Sequence, residues 1–400
     1  MINPYFVYFF SFSFSTLVCI LNWSSLYSDM NSDLLLFLLM TFFIAFALGT
    51  LFTKKYSIYP KKISFSTQST NIILLICFSW ALEFACAGGL PPIVLALRGI
   101  RYELADFGIP VFHVFLYTFN SFFSTYLFHS YLLSKSKQTL RLYVISFLPF
   151  ILLLGRGAIL MNISSSLFLY LNLNFKINLS KKIKVINITF ISIFFILSTF
   201  FLFGLSGNIR TAALYEREDD SIILDIGKAT TDFRNSIIPK EFFWSYLYIA
   251  SPIGNLQHNI VQNRASSNLS SDDVLQFMSN ELVPDFISKR LNDIFLFKKK
   301  TPSLVVDELT VATIYTNSFL YLSWAGLFVM ALFIMAFPFV YISMLGKGNP
   351  FFLVGLSTLN TIYLFSMFDN MFVFSGLSFQ LLYPLIMPKI MGIESLDYKK

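Results

Sequence analysis

Apolar runs separated by short polar segments cover most of the chain, at residues 4–22, 33–52, 71–88, 110–131, 141–155, 158–174, 185–206, 313–345, 350–367 and 371–388. A helix needs about 20 residues to cross a ~30 Å hydrocarbon core, and most of these runs reach or approach that length. The pattern predicts an all-α, polytopic integral membrane protein of about ten transmembrane helices. It divides the chain into helices 1–7 over 1–206, one large outward loop over 207–312, and helices 8–10 with a tail over 313–400. The run from 313 is too long for one upright crossing, so it either tilts strongly or begins with a turn outside the membrane.

Charge sets the direction of the crossings. TKKYSIYPKK (53–62), SKSKQTLR (134–141), KINLSKKIK (176–184) and GKG (346–348) carry basic residues and no acidic ones, which places them in the cytoplasm by the positive-inside rule. SSLYSDMNSD, GGLPPIVLALRGIRYELADFG, the 207–312 stretch and FDN (368–370) contain carboxylates, alternate with the basic segments and face outward. Both termini are then cytoplasmic. Composition agrees: 56% of the 400 residues are hydrophobic and 13% charged, too few charges for a soluble surface of this size. The opening MINPYFVYFF has no basic segment before it and no small-residue cleavage site after it, so it reads as a retained span. Cys19, Cys77 and Cys86 lie in apolar runs without metal-ligand spacing and read as packing residues.

Within LLLGRGAILM (152–161) one arginine interrupts an apolar stretch. Both flanking basic segments are cytoplasmic, so the chain between them crosses an even number of times, and Gly155-Arg156-Gly157 caps the hairpin. The first arm, of about 15 residues, spans only ~22 Å, which sinks the tip below the outer lipid surface into a protein-lined recess. The alternative is an arginine that snorkels to lipid phosphates. Of the 29 Lys and Arg, only Arg98, Arg101 and Arg156 occupy short outward loops, and all are the side chain suited to bidentate phosphate or carboxylate recognition. An anionic ligand at the outer leaflet is the expectation.

The 207–312 loop holds 14 acidic and 11 basic residues, so it is no general anion funnel. RASSNLSSDD (264–273) reads as a linker, with Ser271 or Asp272 capping a following helix. IIPKEFFWSYLYIASPIGNLQHNI (237–260) is dense in aromatics, with Pro239 at a possible helix start and Pro252 at a possible kink. Phe242, Phe243, Trp244, Tyr246 and Tyr248 read as an interfacial aromatic belt or as platforms for sugar faces. Tyr248, Asn255 and His258 share one face of a continuous helix. His129 lies toward the cytoplasmic end of its span and reads as packing, whereas His113 and His258 can reach an outward site. Asp219-Asp220 and Asp272-Asp273 are adjacent pairs in loops or helix starts, and no metal site is expected. There is no phosphate-binding glycine loop, zinc spacing or internal repeat.

FGIPVFHVFL after an Arg-containing loop, LGRGAIL, YLYIASPIGNL in a large outward loop and TIYTNSFLYLSWAGL opening the next span resemble the Wzy-type O-antigen polymerases, which join oligosaccharide repeat units in Gram-negative bacteria. The resemblance covers most of the chain in layout and these short stretches in sequence. It implies a multi-pass glycosyltransferase of the bacterial inner membrane whose large loop is periplasmic. Its partners would be an undecaprenyl-diphosphate-linked oligosaccharide donor and acceptor, membrane lipid and a chain-length regulator protein, with no nucleic acid. The donor carries its own activated bond, so no cofactor is implied. As that bond breaks, charge builds on the diphosphate, and fixed cations in a water-poor recess stabilise it. Arg98, Arg101, Arg156 and Arg210 are the candidates for that task; Asp106, Glu103 and His258 are open as the general base, and Tyr248 and Asn255 as substrate-binding residues. An O-antigen ligase shares the donor and the layout. A lipid-linked-sugar flippase would show charges near the midplane and internal repeats, whereas the only charge well within an early run is Glu83.

Overall fold

The computed structural model describes residues 1–56, 67–98, 107–174, 197–208, 222–262 and 270–390. Among them all regular structure is helical, apart from one antiparallel bridge between Ser24 and Ala229. The first half supplies α1 (Pro4–Ile20), α2 (Ser32–Lys55), α3 (Thr67–Cys86), α4 (Pro92–Leu97), α5 (Phe112–Ser134), α6 (Lys137–Ser146), α7 (Leu148–Leu152) and α8 (Arg156–Asn174). Residues 197–208 form α9. The large loop contains α10 (Ile222–Ile226), α11 (Thr231–Arg234), α12 (Phe242–Gln262), α13 (Ser271–Glu281) and α14 (Asp285–Phe295). Then follow α15 (Ile314–Leu345), α16 (Phe352–Phe365), α17 (Ser375–Ser378), a 3-10 turn (Phe379–Leu381) and α18 (Tyr383–Ile390).

Two helices, α2 and α15, are long and apolar enough to cross a membrane; α1, residues 70–86 and α16 are shorter apolar helices. Their exposure pattern is inverted relative to a water-soluble bundle. Phe10, Phe14 and Leu17 on α1, Leu36, Leu39 and Phe43 on α2, Leu74, Leu75 and Phe78 on α3, and Phe328, Leu332 and Val340 on α15 all face out. Polar groups face in: Tyr8 Oη donates to Thr41 Oγ1 at 2.9 Å and lies 2.7 Å from Tyr315 Oη. Pro338 inside α15 removes the N–H that would bond the carbonyl four residues back, and the Tyr363 hydroxyl of α16 donates to that carbonyl, Ile334 O, instead.

Segments predicted on the same side meet each other. At one end Asn3 Nδ2 donates to Gly49 O and Thr53 Oγ1, both at 3.0 Å, Ile2 N donates to Asn172 Oδ1 at 2.9 Å, and Lys347 Nζ reaches Lys55 O at 2.9 Å. At the other end Ser25 N donates to Lys228 O at 2.9 Å, Asn31 N to Gln257 Oε1 at 2.9 Å, and Ala312 N to Phe368 O at 3.0 Å. Among the described residues, the chain before α1 thus meets the end of α2, and the start of α2 meets the end of α12.

Several elements differ from the expectation, each for a local reason. The run from 313 is two helical segments meeting at Ser323, whose φ of 53° and ψ of −141° break the helix. Residues 324–345 are then about 33 Å long, the thickness of the hydrocarbon core. The hairpin arm 141–155 is split into α6 and α7, because Pro149 has no N–H to continue the ladder; Asn120 Nδ2 takes the Ser146 carbonyl at the break, at 3.1 Å. The tenth run, 371–388, is no continuous helix but a loop, α17, the 3-10 turn and α18. Ser270, not Ser271 or Asp272, caps α13, in a reciprocal pair with Asp273. Helix α12 starts at Phe242, three residues after Pro239, and continues through Pro252. The expected aromatic belt is internal: Phe243, Trp244 and Tyr246 are buried, with Tyr246 against Trp23 at 5.2 Å and Phe243 against Phe233 at 5.1 Å. Cys19 is buried as expected, but Cys77 and Cys86 are exposed.

Candidate functional site

Carboxyl and amide side chains line a polar cavity of about 90 Å³. Its walls come from three separate parts of the chain. Helix α13 ends with Asn280 and Glu281; Pro284 then forces a restart, and α14 begins with Asp285. The loop after α16 brings Asp369 and Asn370, and Asn317 and Lys299 complete the lining from the first turn of α15 and the stretch before it. Backbone bonds seal the junction: Asp285 N donates to Val373 O at 2.8 Å and Ile314 N to Ser366 O at 3.0 Å. Asp285 also accepts the Ser375 hydroxyl.

Glu281 is almost wholly buried, at 1% exposure. Asn370 Nδ2 donates to its carbonyl at 2.9 Å and to its Oε2 at 3.0 Å. Oε1 of Glu281 and Oδ1 of Asn317 are buried without a hydrogen-bond partner among the described residues. Burial pushes the Glu281 carboxyl up to about 8; Asp369 adds to the rise, while Asn370, Lys299 and Asn317 oppose it. Glu281 therefore carries its proton at neutral pH and can donate as well as accept. Asp369 stands at the mouth with solvent access, its carboxyl moved upward by partial desolvation against the pull of Asn370 N–H and Lys299. A few paces away Lys300 is engaged elsewhere: it bonds Asp273 at 2.9 Å and, with Ser270, holds that carboxyl down at about 2. An acid, two carboxylates, a lysine and three amides around one small cavity are a set of donors and acceptors suited to hydroxyl-bearing ligands.

The raised Glu281 value has a signed consequence for stability. The folded state holds a proton between pH 4.5 and about 8 that the unfolded chain has lost, so the stabilisation is complete below 4.5 and is lost as pH rises through 8. Glu281→Gln, which keeps the shape of the protonated acid, is expected to flatten that dependence. In detergent the variant should melt above the wild type at pH 8.5, by about 1 °C for each kcal/mol recovered, and the gap should close toward pH 4.5. Parallel melting curves at all pH values would count against a buried proton on Glu281.

The predicted residues divide into three groups. Arg156 is the exposed first residue of α8, at the hairpin tip as expected, after a turn in which Leu154 takes a positive φ of 55° and Gly155 N donates to Phe150 O at 2.8 Å. Arg98, also exposed, follows α4, and α4 packs on α7, the helix that leads into that turn. The structure thus brings these two arginine-bearing loops into one quarter. Arg101, Asp106, Glu103 and Arg210 lie outside the described residues.

The third group lies on α12, and there Asn255 is corrected. Asn255 is fully buried, and its side chain is used up: Nδ2 donates to Leu309 O and Val311 O, both at 2.8 Å, and Oδ1 accepts from Val305 N at 2.9 Å. It holds the chain before α15 and has nothing left for a substrate. Tyr248 is half-buried, edge-on to Phe203 at 5.2 Å, and His258 is half-buried with Nε2 3.3 Å from Ser303 Oγ. The shared face of α12 is covered by Phe203 of α9 and by the non-regular stretch 303–311. His129 is buried as packing.

Glu281 and Asp369 were not among the residues singled out by sequence. A signal exists: each carboxylate adjoins an asparagine, in SNEL and FDN, and FDN is the only charge between two apolar runs. No family model, curated protein or solved structure matches the chain.

Proposed function

We propose that the chain is a multi-pass inner-membrane protein of about ten crossings that polymerises lipid-linked oligosaccharides on the periplasmic side. The donor is a glycan on undecaprenyl diphosphate and the acceptor a single lipid-linked repeat unit. A hydroxyl of the acceptor attacks the anomeric carbon of the donor, and undecaprenyl diphosphate leaves.

The observation that carries this reading is the Glu281–Asp369 cavity. Its amides and carboxyls match the hydroxyls of an acceptor sugar. Exposed Arg156 and Arg98 match the diphosphate, whose growing charge a planar guanidinium meets with two parallel hydrogen bonds. Exposed Phe and Leu on the long helices support the membrane setting, and the alternation of basic and acidic segments along the sequence supports an orientation with both termini in the cytoplasm.

The test is the glycan ladder of a strain from which the gene is deleted. A polymerase leaves lipid core carrying one repeat unit and no longer chains. Core with no repeat at all would instead assign the chain to ligation or to transport of the lipid-linked unit.

A further inference from the structure

The polymerase reading leaves open which group takes the proton from the acceptor hydroxyl. Away from the carboxylate cavity, at the outward ends of α3 and α5, a second polar pair is built into apolar surroundings. Glu83 has no exposure to solvent. Its Oε1 accepts from Ile109 N at 3.3 Å, and its Oε2 lies 3.1 Å from His113 Nδ1. Where the Glu83 carboxylate accepts from Nδ1, Nε2 is left as the acceptor nitrogen. The His113 side chain keeps 25% of its surface open. Its ring is gripped edge-on by Trp80 at 5.7 Å and Phe107 at 5.9 Å, with Tyr117 tilted against it at 5.9 Å.

Two further features belong to the same construction. Gly108 has a φ of +90°, and a Cβ there would run into both Glu83 Oε2 and His113 Nδ1, so only glycine lets the loop close over the pair. Tyr117 also meets Phe150 edge-on at 5.2 Å, and Phe150 O accepts from Gly155 N in the turn that ends at Arg156. The histidine and the turn before the arginine are thus joined through two aromatic contacts, His113–Tyr117 and Tyr117–Phe150, and one hydrogen bond, Gly155 N to Phe150 O. A rigid imidazole held in one orientation, on the element that packs against the arginine-bearing turn, is suited to deprotonate a nucleophile.

We infer that His113 is the general base of the transfer reaction and that Glu83 is the positioning residue that fixes its tautomer; the inference rests on the polymerase reading. Nε2 takes the proton of the acceptor hydroxyl while the oxygen lone pair forms the new bond to the anomeric carbon. The bond from that carbon to the diphosphate oxygen breaks, its electron pair leaving with undecaprenyl diphosphate. The imidazolium, held by Glu83, then gives its proton to water.

The experiment has two arms, both on the purified full chain in detergent. In the first, diethyl pyrocarbonate, which acylates unprotonated, accessible imidazole nitrogen, is followed by mass spectrometry. His113 should be modified at neutral pH and buried His129 should not; an unreactive His113 overturns the inference whether or not the protein polymerises anything. The second arm measures chain growth on lipid-linked repeat units and binding of the same donor. His113→Ala should lower the rate about 10²- to 10⁴-fold with donor binding retained, and Glu83→Gln should lower kcat with KM unchanged. Full rate in His113→Ala, or loss of donor binding together with the rate, overturns a catalytic role. Wild-type protein that makes no polymer while its His113 reacts would sink the polymerase reading and with it the assignment of this reaction to the histidine.

Discussion

Arg156→Lys protein, inserted in the membrane at the wild-type level, is expected to add no second repeat unit. The substitution keeps the charge but removes the planar fork, which is what distinguishes grip on a diphosphate from attraction to it. Arg156 opens α8, so its guanidinium stands beside the positive end of a 19-residue helix, where an anion is favoured by the aligned peptide dipoles as well as by the side chain. Loss of one preorganised donor to a developing oxyanion lowers rates by about 10²–10³-fold, or roughly 2.7–4 kcal/mol of transition-state stabilisation. The measurement is chain growth by purified variant and wild type on the same lipid-linked repeat, beside the glycan ladder in cells. Full-length ladders from Arg156→Ala would show that the residue only snorkels to lipid phosphates.

Asn255→Ala should act on the fold instead. One side chain satisfies three backbone groups, and the neighbour one turn on, Asn259, does the same for the next stretch: it donates to Ser303 O at 2.7 Å and accepts from Ser303 N at 3.0 Å. The two asparagines serve residues 303–311 as the edge of a missing strand would. Truncating Asn255 leaves two carbonyls and one N–H unpaired in the interior, at about 1–3 kcal/mol for each group that stays unsatisfied. A drop of several degrees in the melting temperature in detergent and new protease cleavage within 303–311 are the expected results, with activity falling in proportion to folded protein. An unchanged melting curve with polymerisation abolished would return Asn255 to the substrate site.

The contrast between these two residues shows what a linear reading can reach. Arg156 was legible because its signal is local: a charge in an apolar run, between segments whose lysines fix the parity of crossings. The same reading of apolar runs found α1, α2, α3, α5, α8 and α16. Asn255 misled because helical spacing states which residues share a face but not what covers that face; the cover is a non-regular stretch some 50 residues away, invisible to periodicity. Glu281 and Asp369 escaped for a similar reason. Each alone is an ordinary carboxylate at the end of a helix or in a loop, and only their convergence, with Asn317 from a third segment, creates the buried proton. The breaks at Ser323 and Pro149 are intermediate cases: Pro149 is a visible stop signal, whereas nothing in the type of residue 323 announces a positive φ.

The clasp between Asp285 and the 373–375 stretch bears on how the protein is made. Residues on the two sides of the carboxylate cavity are about 90 positions apart, with α15 and α16 between them. A ribosome adding about 5–20 residues per second releases Glu281 several seconds before Asn370, its hydrogen-bond partner, exists. During that interval the cavity lacks Asp369 and Asn370, and the site cannot be assembled. Closure waits for α16 and the loop after it, so the cavity reports completion of synthesis: a chain stopped before residue 366 would present α13 and α14 without their partner strip, open to proteolysis.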